Sequence, residues 1–78
     1  MKGVMRGSVV RIPVDESGRR RGFLFIEPVG GGEDVFGHVS GFQQTSQKSF
    51  NEVVEGDKVE FTVIAGPKGD RAIEIRTL

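Results

Sequence analysis

Four flat side chains are spaced so that they would share one face of a β-ribbon. Phe23 and Phe25 are two residues apart, as are Phe36 and His38, and side chains two residues apart on a strand point to the same face. Such a face can stack on nucleobases, because every base has a flat π surface, and each stacked base contributes about 1–3 kcal/mol. The sequence therefore predicts an aromatic platform formed by Phe23, Phe25, Phe36 and His38.

Basic residues flank the first aromatic pair. Arg19, Arg20 and Arg21 directly precede Gly22 and Phe23, and cations beside a stacking surface can follow the phosphates of a bound strand. Three adjacent arginines are also typical of a solvated loop, but here they stand next to the aromatic platform. The residues that we predict to bind nucleic acid are Arg11, Arg19, Arg20, Arg21, Phe23, Phe25, Phe36, His38 and Lys68.

The charge is balanced overall but unevenly distributed. The chain has 11 basic and 11 acidic residues. Residues 1–26 contain six basic and two acidic residues, whereas residues 27–78 contain five basic and nine acidic ones. A net-neutral chain is not a strong electrostatic binder of duplex DNA, but it can carry a local basic edge.

Composition excludes several other kinds of site. The 78-residue chain has no Cys and one His, so disulfides and thiolate or histidine-rich metal sites are excluded, and we predict no metal and no cofactor. We expect one domain over residues 1–78, with a core too thin to enclose a sizeable small-molecule substrate. No segment resembles a signal peptide or a membrane span, so we expect a cytoplasmic protein without a membrane partner.

Strand-like patterns run through the chain. Apolar runs or alternating residues predict five strands, near residues 4–14, 22–26, 35–39, 59–63 and 72–76. The long polar connection, roughly residues 40–57, offers at most a short helical turn near Ser40. Since no helix covers an open sheet, closure into a barrel is the way to remove its edges. We therefore predict an all-β, five-stranded antiparallel barrel with the OB fold.

The register of the second hairpin follows from its glycine-rich turn. If Gly30-Gly31 is the centre, Phe25 lies opposite Phe36, Phe23 opposite His38 and Leu24 opposite Gly37. Alternation then places a second, aliphatic set of residues on the other face, where we expect the core. This inward set is Gly22, Leu24, Ile26, Val35, Gly37 and Val39.

Two of these runs resemble the ribonucleoprotein motifs of the bacterial cold-shock domain. Residues 21–26, Arg-Gly-Phe-Leu-Phe-Ile, are similar to Lys-Gly-Phe-Gly-Phe-Ile, and residues 35–39, Val-Phe-Gly-His-Val, are similar to Val-Phe-Val-His-Phe. Residues 7–9, 48–50, 55–61 and 66–69 also resemble stretches of the same family, so the resemblance covers about residues 5–78. It implies an OB-type barrel that binds single-stranded RNA or DNA, often as an RNA chaperone or a regulator of transcription or translation.

The departures from the family pattern indicate a reduced aromatic surface. Where the family has Lys-Trp-Phe-Asn, this chain has Val10, Arg11, Ile12 and Pro13, and we expect the guanidinium plane of Arg11 to replace the Trp in part. Phe42, in the long connection, could add to the aromatic surface, but a place in the core is expected.

Two further departures fall on the inward face. Leu24 replaces a family Gly and Gly37 a family Val. We interpret the pair as a compensation of volume between opposed positions.

Other interpretations of the sequence are weaker or remain open. A protein-interaction or self-associating barrel with weakened nucleic-acid binding also fits an exposed aromatic ribbon, and either a monomer or a weak homodimer is compatible with the sequence. Enzymatic activity is not expected, because His38 and Ser40 share a strand face without an acid placed to orient the histidine. Stacking tolerates any base, so we expect modest selectivity.

Overall fold

The structure is a computed structural model, and it describes residues 3–78. The strands are β1 (Val4–Arg11), β2 (Phe23–Pro28), β3 (Val35–His38), β4 (Lys58–Gly66) and β5 (Gly69–Thr77). They form a closed barrel in the order β1-β2-β3-β5-β4. This confirms the predicted five-stranded all-β barrel, and a short 3₁₀ turn, Val39–Gly41, follows β3.

The barrel closes through one parallel pair. Phe36 and Gly37 of β3 pair in parallel with Arg71 and Ala72 of β5, whereas the other neighbouring strands are antiparallel. Closure removes the open edges that would otherwise expose unpaired backbone groups. The interior is filled by a single hydrophobic cluster: Val9, Leu24, Ile26, Val35, Phe50, Val53, Val59, Phe61, Ala72 and Ile75.

A β-bulge breaks the predicted alternation of the last strand. Glu74 has a φ of 53°, and the pairing of β5 with β4 shifts register between Glu60 and Thr62. The extra residue allows both Ala72 and Ile75 to be fully buried, although an odd spacing would place them on opposite faces of a regular strand. Strict alternation was therefore the wrong prediction for residues 72–76.

The structure corrects the limits of all five predicted strands, and β4 (Lys58–Gly66) and β5 (Gly69–Thr77) are both longer than predicted. β1 ends at Arg11 rather than near Val14, whose side chain is exposed. β2 begins at Phe23, because Gly22 has a φ of 93° that a strand does not use. β3 ends at His38, and Val39 lies exposed in the 3₁₀ turn rather than in the core.

The local cause of the early end of β3 is a side-chain cap. His38 accepts a hydrogen bond at Nδ1 from the backbone N–H of Ser40, which favours a turn over continued strand pairing.

The long connection between the 3₁₀ turn and β4 is anchored to the barrel. Phe42 packs edge-on against Phe50 with 5.7 Å between the ring centroids, so it is partly buried against the core rather than within it. Ser46 accepts a hydrogen bond at Oγ from the backbone N–H of Thr77. Among residues 3–78, no helix is long and apolar enough to cross a membrane.

Candidate nucleic-acid interface

The observed pairing of β2 with β3 places the predicted platform on one face. Phe23 lies opposite His38, Leu24 opposite Gly37 and Phe25 opposite Phe36, which confirms the register expected from the glycine-rich turn. The four platform side chains are all half-buried. The structure therefore brings Phe23, Phe25, Phe36 and His38 together on the outer surface of the barrel.

The three phenylalanine rings form one contiguous cluster. The Phe23 and Phe36 centroids are 5.4 Å apart, with the planes tilted by 31°. Phe25 meets Phe23 edge-on at 5.8 Å and Phe36 at 6.1 Å. Aromatic pairs favour such tilted and edge-to-face arrangements. The rings therefore hold one another in place and explain why each is half-buried rather than fully exposed.

A β-bulge turns Arg11 onto this outer face. Val9 pairs with Ile26, but Arg11, two residues later, pairs with Phe25, so Val10 is an extra residue in β1. Without this bulge, Arg11 would lie opposite Leu24 and point inward. Its guanidinium carbon instead lies 5.8 Å from the centroid of the Phe25 ring. The predicted Arg11 thus joins the platform through a feature that the sequence pattern did not reveal.

The loop between β1 and β2 is ordered by an aspartate. Asp15 accepts hydrogen bonds at Oδ1 from the backbone N–H groups of Ser17, at 2.9 Å, and Arg19, at 3.0 Å. The hydroxyl of Ser17 donates to the same atom, and these bonds hold the pKa of Asp15 below its usual range. This local turn brings the guanidinium carbon of Arg21 to 6.0 Å from the Phe23 ring centroid.

Arg20 lies apart from its two neighbours. It donates a hydrogen bond from Nη1 to the carbonyl of Phe50 at 2.6 Å, and its guanidinium carbon lies 5.9 Å from the centroid of the Phe50 ring. Arg20 is half-buried, whereas Arg19 and Arg21 are exposed. The structure therefore attaches Arg20 to the long connection and leaves the other two arginines at the surface.

His38 has a defined hydrogen-bonding arrangement. Its Nδ1 accepts the backbone N–H of Ser40 at 3.1 Å and lies 2.8 Å from the Ser40 hydroxyl. Because Nδ1 accepts this hydrogen bond, the proton of the neutral ring is on Nε2. Nε2 is then a donor, and no residue within 3–78 accepts its hydrogen bond.

A groove extends the platform toward the β4–β5 turn. It has a volume of about 450 Å³ and is lined by Phe25, Phe36, Pro67, Lys68, Asp70 and Arg71. The predicted residue Lys68 is therefore brought to the platform. Arg71 was missed by sequence reasoning, because its place beside Phe36 depends on the parallel pairing of β3 with β5. No local sequence signal reports that pairing.

The basic residues that form ion pairs lie away from the platform. The three ion pairs within residues 3–78 are Arg6–Glu60 at 3.4 Å, Arg76–Glu60 at 2.6 Å and Lys48–Asp57 at 2.9 Å. They include none of the predicted binding cations and not Arg71. These cations therefore have no ion-pair partner within residues 3–78, although the carboxylates of Glu33, Asp34 and Asp70 lie beside the same rings.

The carboxylates of these ion pairs are stabilised in their charged form. The hydrogen bond from Arg76 is the main reason that the pKa of Glu60 lies below its usual range. The backbone N–H of Val54, followed by the Lys48 ammonium, lowers the pKa of Asp57 in the same way. Within residues 3–78, no group of three or more His, Cys, Asp or Glu side chains is arranged to hold a metal ion.

Comparison with known proteins assigns a family to this arrangement. The family model described as 'Cold-shock' DNA-binding domain matches residues 14–78. Cold shock-like protein CspA of Stigmatella aurantiaca is 47% identical over 58 residues, which are 74% of this chain and 81% of that protein. Cold shock-like protein CspD of Escherichia coli is 44% identical over 52 residues, which are 67% of this chain and 66% of that protein.

A solved structure supports the same assignment. The chain described as drosophila Unr CSD456 superposes with a TM-score of 0.72 and 26% sequence identity, covering 99% of this chain and 27% of that one. The barrel, the two aromatic motifs and these similarities agree, and the chain belongs to the cold-shock domain family of nucleic-acid-binding proteins.

Proposed function

We propose that this protein binds single-stranded RNA or DNA by stacking bases on Phe23, Phe25, Phe36 and His38. The observation that carries the proposal is the cluster of three rings on the outer face of β2 and β3, with a guanidinium group over two of them. Bases stack on the rings, and neighbouring cations contact the phosphates. We assign the phosphate contacts to Arg11, Arg19, Arg21 and Lys68.

The packing of the barrel supports a ligand role for the rings. The interior is already filled by aliphatic residues and by Phe50 and Phe61, so the three platform rings are not needed to complete it. A contiguous apolar patch on the surface marks an interaction site. Arg20 has a different assignment from the one expected at first: we propose that it positions the loop through Phe50, while Arg19 and Arg21 reach the nucleic acid.

The same geometry favours single strands over duplexes. Base faces are covered by neighbouring bases in a duplex, whereas an unpaired strand can offer them to the rings. Binding only the open form of a folded RNA shifts the equilibrium toward that form. An RNA chaperone activity, or a regulatory effect on transcription or translation, is the expected consequence of such binding.

The test is a titration of fluorescently labelled oligo-dT and oligo-U against a matched duplex, read by anisotropy. We expect both single strands to bind and the duplex to bind more weakly. Phe25→Ala and Phe36→Ala should each weaken single-strand binding by about 1–3 kcal/mol, because each removes a stacking surface. Val29→Ala is the matched control, since Val29 is an exposed apolar residue outside the platform.

Two results would contradict this assignment. Equal affinity for duplex and single strands would show that binding does not depend on base stacking. Unchanged affinity in both phenylalanine variants would show that the platform does not bind the strand. If the rings instead drive self-association without any oligonucleotide, sedimentation will show a dimer that Phe36→Ala dissociates, and the protein-interaction alternative is correct.

A further inference from the structure

The loop between β1 and β2 is a small hairpin rather than an irregular connection. Val14 and Arg20 form an antiparallel bridge across it. Residues 14–19 are all exposed, so the hairpin extends into solvent instead of packing on the barrel. We refer to this hairpin, residues 13–21, as the arginine arm, because it carries three adjacent arginines.

The neighbouring arginines of the arm have different surroundings. Arg20 is half-buried and donates a hydrogen bond to the carbonyl of Phe50, which anchors the arm to the long connection. Arg21 is exposed, and its guanidinium carbon lies 6.0 Å from the centroid of the Phe23 ring. Alternate residues of an antiparallel ladder share a face, so we expect the exposed Arg19 on the side of Arg21. The arm therefore offers two cations that begin at Phe23 and lead away from the rings.

The tip of the arm is held by a single carboxylate. Asp15 accepts three hydrogen bonds at Oδ1, from the backbone N–H and the hydroxyl of Ser17 and from the backbone N–H of Arg19. Its backbone N–H also donates to the carbonyl of Arg19 at 2.8 Å, and its carbonyl accepts the N–H of Gly18 at 3.0 Å. The Asp15 side chain thus fixes the backbone from which Arg19 projects.

The charge of Asp15 and its hydrogen bonds have opposite effects on the binding of a polyanion. A carboxylate repels phosphates, so removal of its charge alone should tighten binding. An arm that is ordered before binding avoids the entropy cost of ordering it in the complex. We propose that the arginine arm binds the sugar–phosphate backbone of a single strand beyond Phe23, and that Asp15 is its positioning residue. The inference rests on the proposed single-strand binding.

Two substitutions of Asp15 separate its charge from its hydrogen bonds. Each variant is titrated by anisotropy with labelled oligo-dT of about ten nucleotides, within the range of site sizes of OB folds. Asp15→Asn removes the charge but keeps an Oδ1 acceptor, so its affinity should equal or exceed that of the wild type. Asp15→Ala removes both, and its affinity should fall by about threefold to tenfold, the scale of immobilising one flexible side chain on binding.

Glu16→Ala is the matched control. Glu16 is the adjacent exposed carboxylate, and its side chain takes no part in the hydrogen bonds that order the arm. Its removal deletes the same charge without loosening the arm, so binding should not weaken.

A double-variant background tests whether Asp15 acts through the arginines. When Arg19→Gln and Arg21→Gln are both present, the arm has no exposed arginine left to position. Asp15→Ala should then cause no further loss of affinity, whereas a general disturbance of the fold would cause the same loss in either background. Urea denaturation checks that each variant is folded under the conditions of the titration.

The outcomes separate this inference from the function on which it rests. The positioning role would be overturned if Asp15→Ala bound as tightly as the wild type, or if Asp15→Asn or Glu16→Ala lost as much affinity as Asp15→Ala. An equal loss from Asp15→Ala in the background without Arg19 and Arg21 would also overturn it. All of these results leave the stacking function intact, whereas failure of the wild type to bind oligo-dT would contradict the proposed function itself.

Discussion

The two faces of the β2–β3 hairpin are built from alternate residues of the same strands. On the inner face, Leu24 and Ile26 are fully buried and pack in the core. On the outer face, Phe25 and Phe36 pack with Phe23 in the ring cluster and remain half-exposed. A difference of one residue along a strand therefore separates a side chain that stabilises the barrel from one that is available to a ligand. Substitutions on the inner face should change the free energy of unfolding, and those on the outer face should change the affinity for single strands.

The largest effect is expected from Leu24→Ala. Removing a fully buried Leu should lower the free energy of unfolding by about 2–5 kcal/mol, because the site loses contacts and retains a cavity. Phe25→Ala should lower it by much less, since its ring is half-exposed. Urea denaturation of the two variants measures the difference. Equal destabilisation would show that the outer ring belongs to the core and would remove the contrast between the faces.

Gly37→Val sharpens the same contrast by overfilling the inner face. A Cβ atom on Gly37 would lie 3.0 Å from Cδ1 of Ile75 and 3.4 Å from Cδ1 of Leu24. Overpacking of this kind costs about 1–3 kcal/mol of unfolding free energy. The expected compensation is therefore present in the geometry, but Ile75 shares the space with Leu24.

Double variants measure how the space over Gly37 is shared. Two double variants are informative: Gly37→Val with Leu24→Gly, and Gly37→Val with Ile75→Val. In each, the loss of unfolding free energy should be smaller than the sum of the losses in the two single variants. The expected coupling is about 0.5–3 kcal/mol. Additive costs in both pairs would contradict the compensation of volume.

Arg20→Lys tests whether Arg20 positions the loop or binds the nucleic acid directly. Lysine keeps the positive charge but lacks the planar guanidinium group that contacts the carbonyl and the ring of Phe50. If Arg20 positions the loop, affinity for oligo-dT should fall several-fold, on the order of a 1 kcal/mol hydrogen bond. The dependence of affinity on salt should stay the same, because no charge is lost. Arg19→Lys is the control and should bind like the wild type; equal losses in both variants would contradict the positioning role.

The salt dependence distinguishes cations on the outer face from those in ion pairs. For single strands, the slope of log affinity on log salt is about −0.7 per neutralised phosphate. Arg11→Gln combined with Arg21→Gln should therefore flatten the slope by about 1.4. Arg6→Gln combined with Arg76→Gln should leave it unchanged, because both arginines lie against Glu60. A whole-protein slope steeper than about −5 would mean that further cations, or several copies, bind together.

The smallest effect is expected from acid. The pKa values of Asp15, Asp57 and Glu60 are lowered by hydrogen bonds and neighbouring cations. Because each pKa is lower in the folded chain than in the unfolded one, the stabilisation is present above the unfolded pKa. It is lost as the pH falls below about 4. Asp15 is exposed, and Asp57 and Glu60 are only partly buried, so the loss should be modest.

Urea denaturation between about pH 6 and pH 3 measures this dependence, which spans the ordinary pKa range of carboxylates. Glu60→Gln should reduce it, since one titrating group is removed, whereas Glu55→Gln should not. A free energy of unfolding that does not fall below about pH 4 would contradict these pKa shifts.

Local sequence patterns determined much of this protein. The turn glycines and the alternation of residues 22–38 predicted the register of the β2–β3 hairpin, which the structure confirms. The reason is physical: a hairpin joins neighbours along the chain, so its turn chemistry and its hydrophobic alternation set the same pairing. For the same reason, the identity of the outer and inner faces was predictable.

Only the tertiary structure decided which cations join the platform. Arg11 lies on the outer face because of a bulge in β1. Arg20 instead donates a hydrogen bond to the carbonyl of Phe50. Arg71 lies beside Phe36 because β3 and β5 pair in parallel. Each of these positions depends on a partner in a different strand or connection. Bulges and contacts between distant segments depend on how the closed barrel packs, and this packing cannot be predicted from a local pattern of residue types.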